Sequence, residues 1–167
     1  VGDLGSWVGI QRFIIDSVFD VDIVLTGDVD LSTGPALEPL GKNESNCIPY
    51  SGTFDGRGFK IINANMNKAG TNMGLFCALK NATVKNVVID STCTFQGTNC
   101  AALSPIVAGT VTIQNVTNNG RVIGSACGGG FLGMTNTTNQ INITIENSVN
   151  SAHVSGNLAS GFVGNIQ

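Results

Sequence analysis

The sequence predicts an all-β fold, a right-handed parallel β-helix or solenoid, on three observations. Short signatures recur in a fixed order along the chain, which is the mark of stacked repeat architectures. Within each recurrence apolar and polar residues alternate with a period of two, so each short strand turns one face inward. Charged residues make up only 11% of the chain while glycine alone contributes 22 of 167 residues. Such a composition suits flat faces of stacked strands better than a charged, disordered chain.

The first signature is a Gly/Pro-plus-apolar step: Gly74-Leu75-Phe76, Pro105-Ile106-Val107, Gly130-Phe131-Leu132 and Gly161-Phe162-Val163. The second is apolar-x-Asn-x, at Val84-Lys85-Asn86-Val87, Ile113-Gln114-Asn115-Val116 and Ile145-Glu146-Asn147-Ser148, with an earlier copy at Ile61-Ile62-Asn63-Ala64. The third is a β-rich run closed by glycine: Thr94-Phe95-Gln96-Gly97, Arg121-Val122-Ile123-Gly124 and His153-Val154-Ser155-Gly156. Each coil is expected to hold about three strands with Gly- and Asn-bearing corners. Residues 21–167 are expected to build about four to five coils and to stop mid-coil; with a rise of about 4.8 Å per coil the stack is about 25 Å long. Residues 1–20, with Val8, Phe13, Ile14, Ile15, Val18 and Phe19, read as an N-terminal cap that a short helix could provide, because a first coil left bare invites aggregation. Residues 32–50 read as an irregular excursion. The end at Gly161–Gln167 begins a coil without a polar cap, which points to self-association or a longer parent chain.

Composition narrows the function classes. Eight scattered cations against eleven acids give no basic patch for phosphates, so no nucleic-acid partner is expected. No apolar run approaches a membrane span. Five Asn-x-Ser/Thr sequons occur, at Asn43, Asn81, Asn115, Asn136 and Asn142, and point to an extracellular or cell-surface glycoprotein. Cys47, Cys77, Cys93, Cys100 and Cys127 lie far from the one histidine, His153, which favours disulfides over zinc. Stacking would bring Cys100 to Cys127, and Cys47 could pin the excursion to Cys77, leaving Cys93 over; Cys93–Cys100 is the alternative. Asn63, Asn86, Asn115 and Asn147 share a register and are expected to form an amide ladder along the axis. That would bury Asn115 and make its sequon the least suitable of the five.

From residue 20 onward the chain resembles the GLUG-motif β-helix proteins, repeat-bearing surface proteins and adhesins. The resemblance rests on a strand followed by Gly27-Asp28-Val29-Asp30-Leu31, on Pro39-Leu40-Gly41, on Gly52-Thr53-Phe54-Asp55-Gly56-Arg57-Gly58-Phe59-Lys60-Ile61-Ile62, and on Gly74-Leu75-Phe76. It implies a right-handed parallel β-helix in an extracellular setting and no agreed catalytic activity.

β-Helices also include polysaccharide lyases and hydrolases. Nine of the eleven carboxylates precede residue 60, so the main stack has little for acid–base work. Asp28, Asp30 and Asp55 are the set that could hold calcium; turn stabilisation is the simpler role, and neither metal nor cofactor is expected. No Ser- or Cys-nucleophile motif surrounds His153, and Gly128-Gly129-Gly130 lacks the Lys-Ser/Thr of a phosphate loop. The expected function is a structural or adhesive module with a glycan or cell-surface partner, possible end-to-end assembly into a filament, and no enzymatic role. The alternative is a carbohydrate-active β-helix, for which Trp7 and Tyr50 would be the sugar-stacking aromatics.

Overall fold

The computed structural model describes residues 20–32, 37–43, 46–135 and 140–166; the cap expected over residues 1–20 lies, apart from Asp20, outside them. The first described turn carries β1 (Ile23–Val24) and β2 (Val29–Asp30). The excursion holds a small hairpin, β3 (Lys42–Asn43) and β4 (Asn46–Cys47). The next turns are β5 (Thr53–Asp55), β6 (Lys60–Ile62) and β7 (Asn65–Asn67), then β8 (Leu79–Lys85), β9 (Val88–Ile89) and β10 (Thr94–Ala101). β11 (Ser104–Gln114), β12 (Thr117–Asn118) and β13 (Arg121–Gly129) follow. The last turn contains β14 (Leu132–Thr135), β15 (Asn142–Glu146), β16 (Val149–Asn150), β17 (Val154–Ser155), β18 (Leu158–Ser160) and β19 (Val163–Asn165).

Outside the hairpin, the strands stack in parallel as three sheets, β1-β5-β8-β11-β14-β19 with β15 also on β11, β2-β6-β9-β12-β16, and β7-β10-β13-β17 with β18 also on β13. The chain is thus an all-β, parallel β-solenoid of about five turns. Period-two patterning puts one column of side chains from each sheet into the shared core. Phe54, Val84, Ile113 and Ile145 stand in register in the first sheet. Val29, Ile61 and Ile89 do so in the second, and Met66, Phe95, Val122 and Val154 in the third. Phe54, Met66, Phe95, Ile113 and Phe131 are at most 1% exposed, and burying each contributes about 1.5–3 kcal/mol.

Two expected registers differ. The second Gly/Pro-apolar step is not Pro105-Ile106-Val107. Leu75 N–H donates to Ala102 O, Phe76 N–H to Leu103 O and Leu103 N–H to Phe131 O, while Ser104 pairs with Leu132. Ala102-Leu103-Ser104 therefore fills the step, which buries Leu103 and keeps Pro105, lacking an N–H, past the corner. The Ile61-Ile62-Asn63 copy also belongs elsewhere: Ile61 pairs with Ile89 in the second sheet, whereas Phe54-Asp55 precedes the first corner in that turn. The glycine-closed signature stacks as expected, Thr94-Phe95-Gln96-Gly97 on Arg121-Val122-Ile123-Gly124. A Cβ on Gly97 would run into the Thr71 carbonyl oxygen, so the third-sheet corner admits only glycine there.

Candidate functional site

What the solenoid offers to other molecules is its corners and outward columns. At the corner between the first and second sheets, Asn86, Asn115 and Asn147 take φ values of 54°, 53° and 49°, the left-handed conformation that Asn tolerates best after Gly. Asn115 Nδ2 donates to Asn86 Oδ1 at 3.1 Å, and Asn86 Nδ2 donates to Asp55 Oδ1 at 2.9 Å. The amide ladder therefore ends on a carboxylate rather than on Asn63. Asn63 (φ 59°) sits at the next corner and donates Nδ2 to Asp30 Oδ1 at 2.9 Å. A second ladder, missed from sequence, runs through Asn118, which takes the place of isoleucine in the second-sheet column and is fully buried. Its Nδ2 reaches Gly130 O at 2.8 Å and Asn150 Oδ1 at 3.0 Å, and its Oδ1 accepts Gly120 N–H. The visible signal was a polar residue repeated at the inward position of Thr117-Asn118 and Val149-Asn150.

The early carboxylates serve as such ties. Asp28 Oδ1 accepts Lys60 N–H, Asp22 Oδ1 accepts Thr53 N–H, and Asp30 Oδ1 also accepts Ser32 N–H. Asp55 Oδ1 accepts Arg57 N–H as well, and its Oδ2 lies 3.6 Å from Lys85 Nζ. The Asn86 amide first, then the Arg57 N–H, hold the Asp55 carboxyl below its usual value; the Asn63 amide and the Ser32 N–H do the same for Asp30. The calcium set is corrected accordingly. Asp28, Asp30 and Asp55 point to separate backbone and amide donors, and no group of three or more His, Cys, Asp or Glu among the described residues is arranged to hold a metal.

On the outward face of the first sheet, Thr53, Thr83, Thr112 and Thr144 form a column four turns long. Thr83, Thr112 and Thr144 each sit between inward apolar residues, as in Ala82-Thr83-Val84 and Ile143-Thr144-Ile145, a pattern that the sequence displays. Beside them stand the exposed Asn81 and Asn142, with Thr110 between: Thr110 pairs with Asn142, and its N–H donates to Asn81 Oδ1 at 3.0 Å. Asn115 is also exposed, contrary to the expectation of burial, because its ladder runs over the outside of the corner. Asn43 closes the β3–β4 hairpin, its side chain lying outside the described residues as Asn136 does. His153 is exposed on the third face.

Cys47 and Cys77 are disulfide-bonded, with Cα atoms 5.7 Å apart, and so tie the excursion to the third turn. Cys93, Cys100 and Cys127 are buried free thiols. The pairing of Cys100 with Cys127 does not form because Cys127 is in register with Asn99 and Cys100 with Gly128; a one-residue offset turns the side chains to opposite faces. Cys127 Sγ lies 3.0 Å from Gly133 O instead. Cys93–Cys100 does not form either, Cys93 Sγ lying 3.3 Å from Ile61 O. Burial raises all three thiols, Cys100 to about 12. Tyr50 is fully buried, stacked on Phe76 at 5.2 Å and donating its hydroxyl to Val21 O at 2.8 Å, so it presents no face to a sugar. Trp7 lies outside the described residues. On the last turn Val149, Leu158 and Phe162 are 54%, 53% and 44% exposed. Among the described residues no helix is long and apolar enough to cross a membrane.

Fold and surface define a parallel β-solenoid module braced by amide ladders and one disulfide. No family model matches the chain. Over 119 residues it is 32% identical to Halomucin of Haloquadratum walsbyi, a stretch that covers 70% of this chain and 1% of that protein. It is also similar to a crystal structure from Bacteroides ovatus that bears the provisional name immunoglobulin A1 protease. The TM-score is 0.70 at 23% identity, covering 93% of this chain and 49% of that one. At that identity the likeness is one of fold.

Proposed function

We propose that the chain is a structural or adhesive module of an extracellular, cell-surface glycoprotein of the GLUG-like repeat kind. The carrying observation is the Cys47–Cys77 disulfide within a stack faced by uncharged Thr and Asn columns, since such bonds persist in oxidising compartments. The similarity to a protein named Halomucin supports the same reading. The partner is a glycan or cell-surface component. The exposed apolar side chains Val149, Leu158 and Phe162 are the surface we propose for contact with a second copy of the chain.

The test is antibody staining of intact against permeabilised source cells. Signal on intact cells is the expected result, and signal confined to permeabilised cells contradicts an external location. For the assembly, Phe162→Asp is expected to abolish concentration-dependent association in sedimentation; a wild-type chain monomeric at high concentration refutes the self-contact.

A further inference from the structure

Two of the five sequons face the same way, and the backbone makes this so. Asn81 and Asn142 flank Thr110 on the outward side of the first sheet, two turns apart, so about 9.6 Å separates them along the axis. Their sequon hydroxyls, Thr83 and Thr144, are both in register with Thr112 and so share the threonine column, with Asn81 itself at φ 53° where the β8–β11 register shifts. The amides differ from that of Asn115. Asn115 Nδ2 is committed to Asn86 Oδ1, and Asn115 lines the corner groove with Arg57, Gly58 and Asn86. Asn81 instead anchors its Oδ1 on Thr110 N–H, which fixes the oxygen end of an exposed side chain, and Asn142 is exposed on β15.

We infer that Asn81 and Asn142 are N-glycosylated together, so that two oligosaccharides stand side by side on the first sheet, while Asn115 stays unmodified. This rests on the reading of the chain as an extracellular glycoprotein. In each attachment Asn Nδ2 forms a bond to C1 of the reducing-end sugar. The C1–phosphate bond of a lipid-linked oligosaccharide pyrophosphate donor breaks, the lipid pyrophosphate leaves, and Nδ2 gives up one proton. An attached sugar is compatible with the fold at Asn81 because the Oδ1 acceptor is untouched. At Asn115 it takes one of the two hydrogens of the nitrogen that continues the ladder and must share the corner groove with Arg57, Gly58 and Asn86. The paired glycans cover the β8–β11–β15 face and leave the asparagine corner uncovered.

The test is the full chain secreted from a eukaryotic host behind a cleavable leader, its glycopeptides mapped after peptide N-glycosidase, which converts each occupied Asn to Asp. The expected result is occupancy of Asn81 and Asn142 in most molecules and of Asn115 in few. Thr83→Val and Thr144→Val keep the shape of the outward column and are expected to remove one glycan mass each. Glycans on Asn43 or Asn136 alone, or on Asn115 in preference to Asn81, overturn the pairing and leave the glycoprotein reading standing. A secreted chain with no glycan anywhere overturns both.

Discussion

Replacing Asn86 separates the two roles that its corner requires. The residue holds φ at 54° and joins Asn115 to Asp55 through two side-chain hydrogen bonds. The bond to the carboxylate is worth about 1.5 kcal/mol, the low end for charged partners at a partly buried site, and the bond from Asn115 about 0.5 kcal/mol. Asn86→Gly loses both bonds but keeps the left-handed conformation, and the glycine adds unfolded-state entropy, for a total near ~2.5 kcal/mol. Asn86→Ala loses the same bonds and adds about 1–2 kcal/mol of left-handed strain, so its cost is about 3–4 kcal/mol. Urea unfolding followed by circular dichroism measures both, with the midpoint shifting while the slope stays constant. The order wild type, Gly, Ala is expected. An alanine variant at least as stable as the glycine variant would refute the claim that the corner selects asparagine for its backbone conformation.

Other outcomes follow from the same contacts. Because the folded Asp55 carboxyl lies below its ordinary value of 3.8, its stabilisation is complete above that value and is lost as pH falls through the lowered one. Wild type is therefore expected to lose more stability than Asn86→Gly between about pH 5 and pH 2 in acid titrations of the unfolding midpoint; parallel curves would contradict this. Opening the disulfide across its 30-residue separation, in a Cys47→Ala/Cys77→Ala variant, is expected to cost about 3.6 kcal/mol by loop entropy. In a melting scan that is a fall of about 7–14 °C. Phe131→Ala, which empties a fully buried site, is expected to cost about 3–5 kcal/mol, whereas Leu158→Ser on the exposed last turn stays within about 0.5 kcal/mol.

The parts of this fold that are legible in the sequence are those governed by local period. Ile113, Ile145 and Val84 alternate with polar neighbours and recur before an asparagine, so their register could be read directly. The Gly97–Gly124 column was equally plain because a side chain has no room there. Elsewhere the same letters served different corners. Asn63 resembles Asn86 locally since both adopt positive φ, yet only pairing across turns tells which corner each occupies. Pro105 imitated the glycine of a step because proline also punctuates strands, while the residue that packs there is Leu103. Asn118 is not legible from local pattern because an inward amide breaks the apolar rule, and its partners, Gly130 O and Asn150, lie 12 and 32 residues away. Cys100 and Cys127 were expected to meet on repeat spacing alone; the irregularity between Gly97 and Asn99 shifts the register by one residue and separates them.

The central claim, an oxidised solenoid whose excursion is pinned to its third turn, is tested most directly by mapping thiols in the unreduced protein. Alkylation before and after denaturation, followed by peptide mass analysis, gives the state of all five cysteines. The account predicts a Cys47–Cys77 linkage, with Cys93, Cys100 and Cys127 unreactive in the folded chain and alkylated once it unfolds, as buried thiols with raised pKa require. Five reactive thiols without reductant, or a Cys100–Cys127 linkage, would contradict it.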